Sequence, residues 1–203
     1  MNAPMNTPMS RHLVLMAKAP RMGAVKTRLA ADVGLVKAWT FQRRCLFDTA
    51  RKLHDPRWRC WLSVTPDRAA LQTRLWPKGW VAIPQGGGDL GQRMLSPLLA
   101  LPPGPVVIVG ADIPGVTAAH IAAAFEALGE NDFVFGPATD GGYWLVGAKR
   151  HPRLVDPFFD VRWSSKHALG DTLANLPDGA RVGFVKTLAD VDNAKDLIKS
   201  GAL

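Results

Sequence analysis

Seven short apolar runs, each bounded by turn residues, recur along the chain: HLVLMA (12–17), RCWLSVTP (59–66), WVAIPQ (80–85), PVVIVGADIP (105–114), DFVFGP (132–137), YWLVGA (143–148) and RVGFVKT (181–187). Between them lie segments with helical spacing, such as Trp39, Leu46, Ala50 and Leu53, or Ile121, Ala124, Phe125 and Leu128. Strand-length apolar runs alternating with amphipathic helices predict a parallel-dominated sheet with helices on both faces. Only a short Gly-rich connection separates DFVFGP from YWLVGA. Parallel neighbours need a longer crossover, so this pair is expected to be antiparallel and the sheet mixed. A helix is expected over about 164–176, and a closing helix from Asn193. The predicted architecture is one α/β domain over residues 11–203, a three-layer sandwich around a mixed, mostly parallel sheet, after a disordered start MNAPMNTPMS at 1–10.

Composition narrows the function classes. The start has neither the charged n-region nor the apolar core of a signal peptide, and no apolar run nears the roughly 18 residues that span a bilayer. Cys45 and Cys60 form no CxxC pair and fit no zinc spacing. A reduced, cytoplasmic protein is the economical expectation. The net charge of +8 is uneven: residues 1–100 carry 16 Lys and Arg against 5 Asp, whereas residues 101–203 carry 9 against 12 acids. No aromatic-interleaved basic face or reader motif supports nucleic acid as the partner. Cations in one half and carboxylates in the other suit a cleft for a phosphorylated small molecule and a divalent metal.

In open α/β sheets ligands bind beyond the carboxyl ends of the strands. The loop after the first run, KAPRMGAVKTRLA, departs from a Walker loop because Val25 replaces the glycine before the lysine and Pro20 has no amide hydrogen. What it offers is cations, Lys18, Arg21, Lys26 and Arg28, the last two opening a helix where free amides also favour an anion, with Gly23 in the same loop. Asp112, just beyond VVIVG, stands where side chains emerge from the sheet, and a carboxylate there suits an oxygen-liganded Mg2+ or Mn2+. Thr117 is the better N-cap for the following helix, which leaves Asp112 for chemistry. DVDNAKDL supplies Asp190 and Asp192, of which Asp192 is taken as the second metal ligand and Asp190 as the spare. GPATDGGYW offers Asp140 as an acid, with Gly141 and Gly142 permitting close approach or simply a tight turn. The glycines of QGGGDLGQRM, among them Gly88 and Gly91, either wrap a nucleobase or loop before a helix that Asp89 caps.

Together KAPRMGAVKTRLA, GGGDLGQRM, VGADIPGVT, GPATDGGYWLVG, RWSS and DVDNAKDL resemble, in order and spacing from about Leu13 to Leu197, the small bacterial GT-A-like family of selenodomain-associated or arsenosugar-biosynthesis glycosyltransferases. That family is similar to nucleotide-diphospho-sugar transferases and to small nucleotidyltransferases. The resemblance implies a divalent metal on Asp112 and a C-terminal acid, with nucleotide phosphates against the first loop. The expected substrates are a nucleotide diphosphate sugar and a small acceptor, with no membrane or nucleic-acid partner. Lys18, Gly23, Lys26, Arg28, Gly88, Asp89 and Gly91 are expected on the nucleotide side. Asp140, Gly141, Gly142 and Trp163 are expected on the acceptor side, with His167 a weaker candidate. Asp140 and Lys26 are the expected catalytic groups. Two features depart from the parent families: Ile113 and Pro114 follow Asp112 where GT-A glycosyltransferases carry a DxD, and APRMGAVKTR replaces the glycine-rich loop of the nucleotidyltransferases. Nucleotidyl transfer from an NTP, with release of pyrophosphate, is the alternative reaction, and nucleotide binding without catalysis a third.

Overall fold

The computed structural model describes residues 10–20, 30–32, 34–150 and 154–188. The expected strands all form: β1 His12–Lys18, β2 Arg59–Thr65, β3 Val81–Pro84, β4 Val106–Gly110, β5 Phe133–Pro137, β6 Tyr143–Ala148 and β7 Val182–Phe184. They make one sheet in the order β3-β2-β1-β4-β6-β5-β7. β6 runs antiparallel to both its neighbours, and every other pairing is parallel.

Two helix layers cover the sheet. Helix α1 (Leu35–Leu53) and helix α3 (Ala118–Glu130) pack Leu46, Ala50, Ile121 and Phe125 on the face formed by Leu13, Leu15, Val107 and Val109. Helix α2 (Leu90–Ala100) and helix α4 (Ala168–Ala174) cover the other face, where Met94 and Leu98 meet Val14, Ile108, Phe135 and Val146. The alternation of side chains along β1 and β4 divides them between these two cores. Both expected caps are present. Asp89 Oδ1 accepts the Gln92 N–H at 2.9 Å while Gln92 Oε1 accepts the Asp89 N–H at 3.1 Å, and His120 Nδ1 accepts the Thr117 N–H at 3.2 Å.

Helix α4 begins later than the expected 164, because Ser164 holds a left-handed φ of 56° and the chain turns before it can wind. β7 is likewise shorter than the expected 181–187. The predicted closing helix, and with it Asp190 and Asp192, lies outside the described residues.

At the amino edge of β1 sits His12, fully buried. Its Nδ1 accepts the Trp61 indole N–H at 3.1 Å, so Nε2 carries the proton and faces Pro103 O at 3.4 Å. Burial depresses its pKa below 6.5; the Pro103 hydrogen bond opposes this, while the Arg150 and Arg59 charges add to it. An unfolded chain takes up a proton near pH 6.5 that this folded site resists, so stability falls as pH drops through and below that value. His120, depressed by burial and by Lys186, acts in the same direction. Urea midpoints measured from pH 7.5 down to 5 should decline in the wild type, and decline less in His12→Gln.

Candidate functional site

The parallel strands β1 to β4 end on one edge, and beyond it lies a cavity of about 490 Å³. Its rim comes from three loops. Asp112 and Ile113 follow β4, Asp140 and Gly142 belong to the β5–β6 hairpin, and Trp163, Ser164 and Ser165 belong to RWSS. The sequence-expected Asp112, Asp140, Gly142 and Trp163 thus face one space, although Asp112 and Trp163 are 51 positions apart in the chain.

The hairpin carrying Asp140 is tightly determined. Asp140 Oδ1 accepts the Gly142 N–H at 2.9 Å, the Asx-turn geometry of an acid two residues upstream. Its Oδ2 has no hydrogen bond among the described residues. Gly141 has a φ of +89°, and a Cβ built on it would lie 2.4 Å from Lys166 O. Both backbone conformation and contact therefore demand glycine. Gly141→Ala should lower stability by roughly 1–3 kcal/mol, measurable in a denaturant melt.

RWSS is anchored by its first two residues. Arg162 donates from Nε and Nη2 to Asp171 of α4 at 2.8 and 2.7 Å, and this pairing pulls the Asp171 carboxyl down to about 2. Trp163 Nε1 donates to Asp89 Oδ2 at 3.2 Å. Asp89 therefore holds the start of α2 with one oxygen and the RWSS loop with the other. Gly91 is buried beneath that loop, where a Cβ would come within 2.7 Å of Phe158 Cβ and 2.9 Å of the Trp163 ring. Its lack of a side chain serves packing.

The expected nucleotide-side residues do not gather here as the acceptor-side ones do. Lys18 is exposed at the carboxyl end of β1, and Gly88 sits beside the capping Gln92; neither lines the cavity. His167 does not line it either. Gly23, Lys26 and Arg28, with Asp192, lie outside the described residues. Among the described residues no three His, Cys, Asp or Glu gather into a metal-holding group.

The cavity's interior is built from residues that no sequence motif marks. Met16, Met94, Ile108 and Val146 form a wall on the α2 face, joined by Tyr143. Tyr143 faces this way because the pairing register shifts opposite Gly136 and Pro137, a bulge that re-aims the end of β6. Its hydroxyl lies 3.3 Å from Thr172 Oγ1, and burial pushes its pKa far up, keeping it neutral. The one signal in the sequence was the chain's single tyrosine standing directly after DGG.

The model of the bacterial family described as "Uncharacterized protein conserved in bacteria (DUF2064)" matches residues 49–165, more than half the chain. The chain belongs to this family. Among solved structures, it is similar to a candidate nucleotide-diphospho-sugar transferase from Desulfovibrio desulfuricans G20, with 30% identity, 93% of this chain and 85% of that one covered, and a TM-score of 0.83. More distant likenesses show the fold alone. The 4-diphosphocytidyl-2C-methyl-D-erythritol synthase of Anaerococcus prevotii DSM 20548 has 10% identity, 95% and 97% coverage and a TM-score of 0.60. Rv0371c of Mycobacterium tuberculosis H37Rv has 15% identity, 95% and 98% coverage and a TM-score of 0.54. No curated protein matches the chain. Among the described residues no helix is long and apolar enough to cross a membrane.

Proposed function

We propose that this member of the DUF2064 family is a cytoplasmic, metal-dependent glycosyltransferase that uses a nucleotide diphosphate sugar and a small acceptor, of the selenodomain-associated or arsenosugar-biosynthesis kind. The observation that carries this reading is that Asp112 and Asp140 open into one cavity beyond the carboxyl edge of the sheet. The likeness to the D. desulfuricans candidate transferase supports the class of reaction.

The oxygen donors of Asp112 suit Mg2+ or Mn2+, which take one or two carboxylates and complete their shell with water and phosphate oxygens; Asp192 is the proposed second ligand. Such a metal, when bound, would offset charge on the diphosphate. The chain's own groups do the rest. Asp140 accepts the proton of the acceptor hydroxyl with the carboxylate that Gly142 orients. The acceptor oxygen bonds to the anomeric carbon, and the bond from that carbon to the diphosphate breaks, its electron pair leaving on the nucleotide. Lys26 and Arg28, with Lys18 and Gly23 of the same sequence segment, stabilise the departing charge. The loop ahead of α2, with Gly88, borders the nucleoside.

Nucleotidyl transfer is the second reading, favoured by the Ile113 and Pro114 that follow Asp112 in place of a DxD. Incubation with Mg2+ and pools of nucleotide sugars or NTPs separates the readings: free NDP supports glycosyl transfer, pyrophosphate supports nucleotidyl transfer, and binding without either product leaves a non-catalytic binder. Chelation should weaken nucleotide affinity at least about tenfold, as read by calorimetry, because the carboxylates of Asp112 and Asp192 carry the same sign of charge as the diphosphate. Equal affinity with and without chelator removes the metal from the mechanism. Lys26→Ala and Arg28→Ala should each weaken diphosphate binding about 10- to 100-fold and leave nucleoside binding nearly unchanged, since a charge-assisted contact is worth roughly 1.5–3 kcal/mol.

A further inference from the structure

The interior of the cavity is chemically unlike its rim. Its described wall is apolar and aromatic, and among the described residues that line it the charged ones are Asp112 and Asp140, both acids. No described Lys or Arg reaches it. A phosphate placed there would exchange its water for methionine, isoleucine and valine side chains and would face the Asp140 carboxylate. An uncharged ring would lose little water of value and gain apolar contact.

The wall is also fixed in advance. The Trp163 ring is held by the Asp89 hydrogen bond and by the Tyr143 and Phe158 rings, whose centroids lie 6.3 and 6.2 Å away. Tyr143 is in turn packed edge-on to Phe135 at 5.4 Å. A rigid aromatic surface binds without first being ordered. The volume falls within the range of roughly 300–1,000 Å³ usual for small-molecule pockets.

We infer that this recess is the acceptor subsite and that it selects an uncharged or cationic acceptor with an apolar, ring-sized body, presenting a hydroxyl or amine to Asp140, and rejects phosphorylated acceptors. The inference rests on the transfer reading above, and it names the substrate class for the same site. Met16, Met94, Ile108, Tyr143 and Trp163 are the residues that set this specificity.

The test uses three probes of one shape and different charge, benzyl alcohol, benzylamine and benzyl phosphate, titrated into the full chain in metal-free buffer with chelator, so that no cation at Asp112 draws in the phosphate, and followed by protein NMR and calorimetry. The alcohol and the amine are expected to bind at least about tenfold more tightly than the phosphate. Asp140→Asn should narrow that gap, and Ala168→Met, which intrudes on the recess from α4, should weaken the alcohol. A circular-dichroism melt confirms that each variant is folded. Met94→Ala, which enlarges the recess, should also change the alcohol's affinity if Ala168→Met does not fold. Benzyl phosphate binding as tightly as the alcohol overturns the inference, and so does failure of all three probes to bind. The donor assay is scored separately. If NDP is released but phosphorylated acceptors are preferred, the inference falls and glycosyl transfer stands. If no donor turns over while the probe selectivity holds, the transfer reading falls and the ligand class of the recess stands.

Discussion

Arg150→Gly should lower stability by about 3 kcal/mol and the melting temperature by roughly 6–12 °C, while leaving the cavity's ligand selectivity unchanged. Arg150 stands just after β6, at the edge of the sheet opposite the cavity. Its guanidinium donates to Gly104 O at 2.7 Å, Leu98 O at 2.9 Å and Leu101 O at 3.0 Å, and also to Pro102 O. One side chain thus satisfies carbonyls at the end of α2 and along the loop into β4, where the helix dipole also favours a cation. Removing it strands partly buried acceptors. The choice of glycine isolates that loss, since Arg150 has a φ of 64°, a conformation that glycine adopts more easily. Arg150→Lys should recover only a fraction, because a point-like ammonium cannot match a planar fork across several carbonyls. A glycine variant as stable as wild type would show that the loop from Leu101 to Pro105 holds itself. A shift in probe selectivity would mean that the two edges of the sheet are coupled.

Neither Arg150 nor His12 could be singled out from the sequence, and the reason is physical. Each acts through contacts with residues 46 or more positions away, and nothing in local periodicity marks a cation that will collect carbonyls or an imidazole that will be buried neutral. What was legible is what short-range chemistry dictates. Apolar runs gave every strand, the short DGG connection gave the antiparallel β6, and Asp89 and Thr117 announced their helices because capping needs only neighbours. The position of Asp112 followed from strand direction. The recess was illegible because Met16, Ile108 and Val146 carry the same pattern as any core residue. The bulge in β6 and the loop pinned through Trp163 border the space they face. Gly91 shows the converse: a glycine in a ligand-like motif that the fold uses to admit Phe158 and Trp163.

Asp140→Asn should retain donor binding while turnover falls by roughly two to four decades, the usual share of a general base. The substitution suits this site unusually well as a test. The Asx turn needs one acceptor oxygen, now given by Asp140 Oδ1 to the Gly142 N–H at 2.9 Å, and an asparagine carbonyl supplies it in the same geometry. The turn, Gly141 with its contact to Lys166, and the start of α4 should all survive. What disappears is the capacity of the second oxygen to accept a proton. The measurement is donor affinity and single-turnover rate on one preparation, with whichever donor the pool assay identifies. An unchanged rate reduces Asp140 to an ordinary turn residue, as the local hydrogen bond alone would have it. A parallel loss of donor affinity instead moves it to the donor or metal side of the cavity. A lost rate with intact affinity, rescued by acceptors whose nucleophile needs no base, would identify Asp140 as the group that takes the proton.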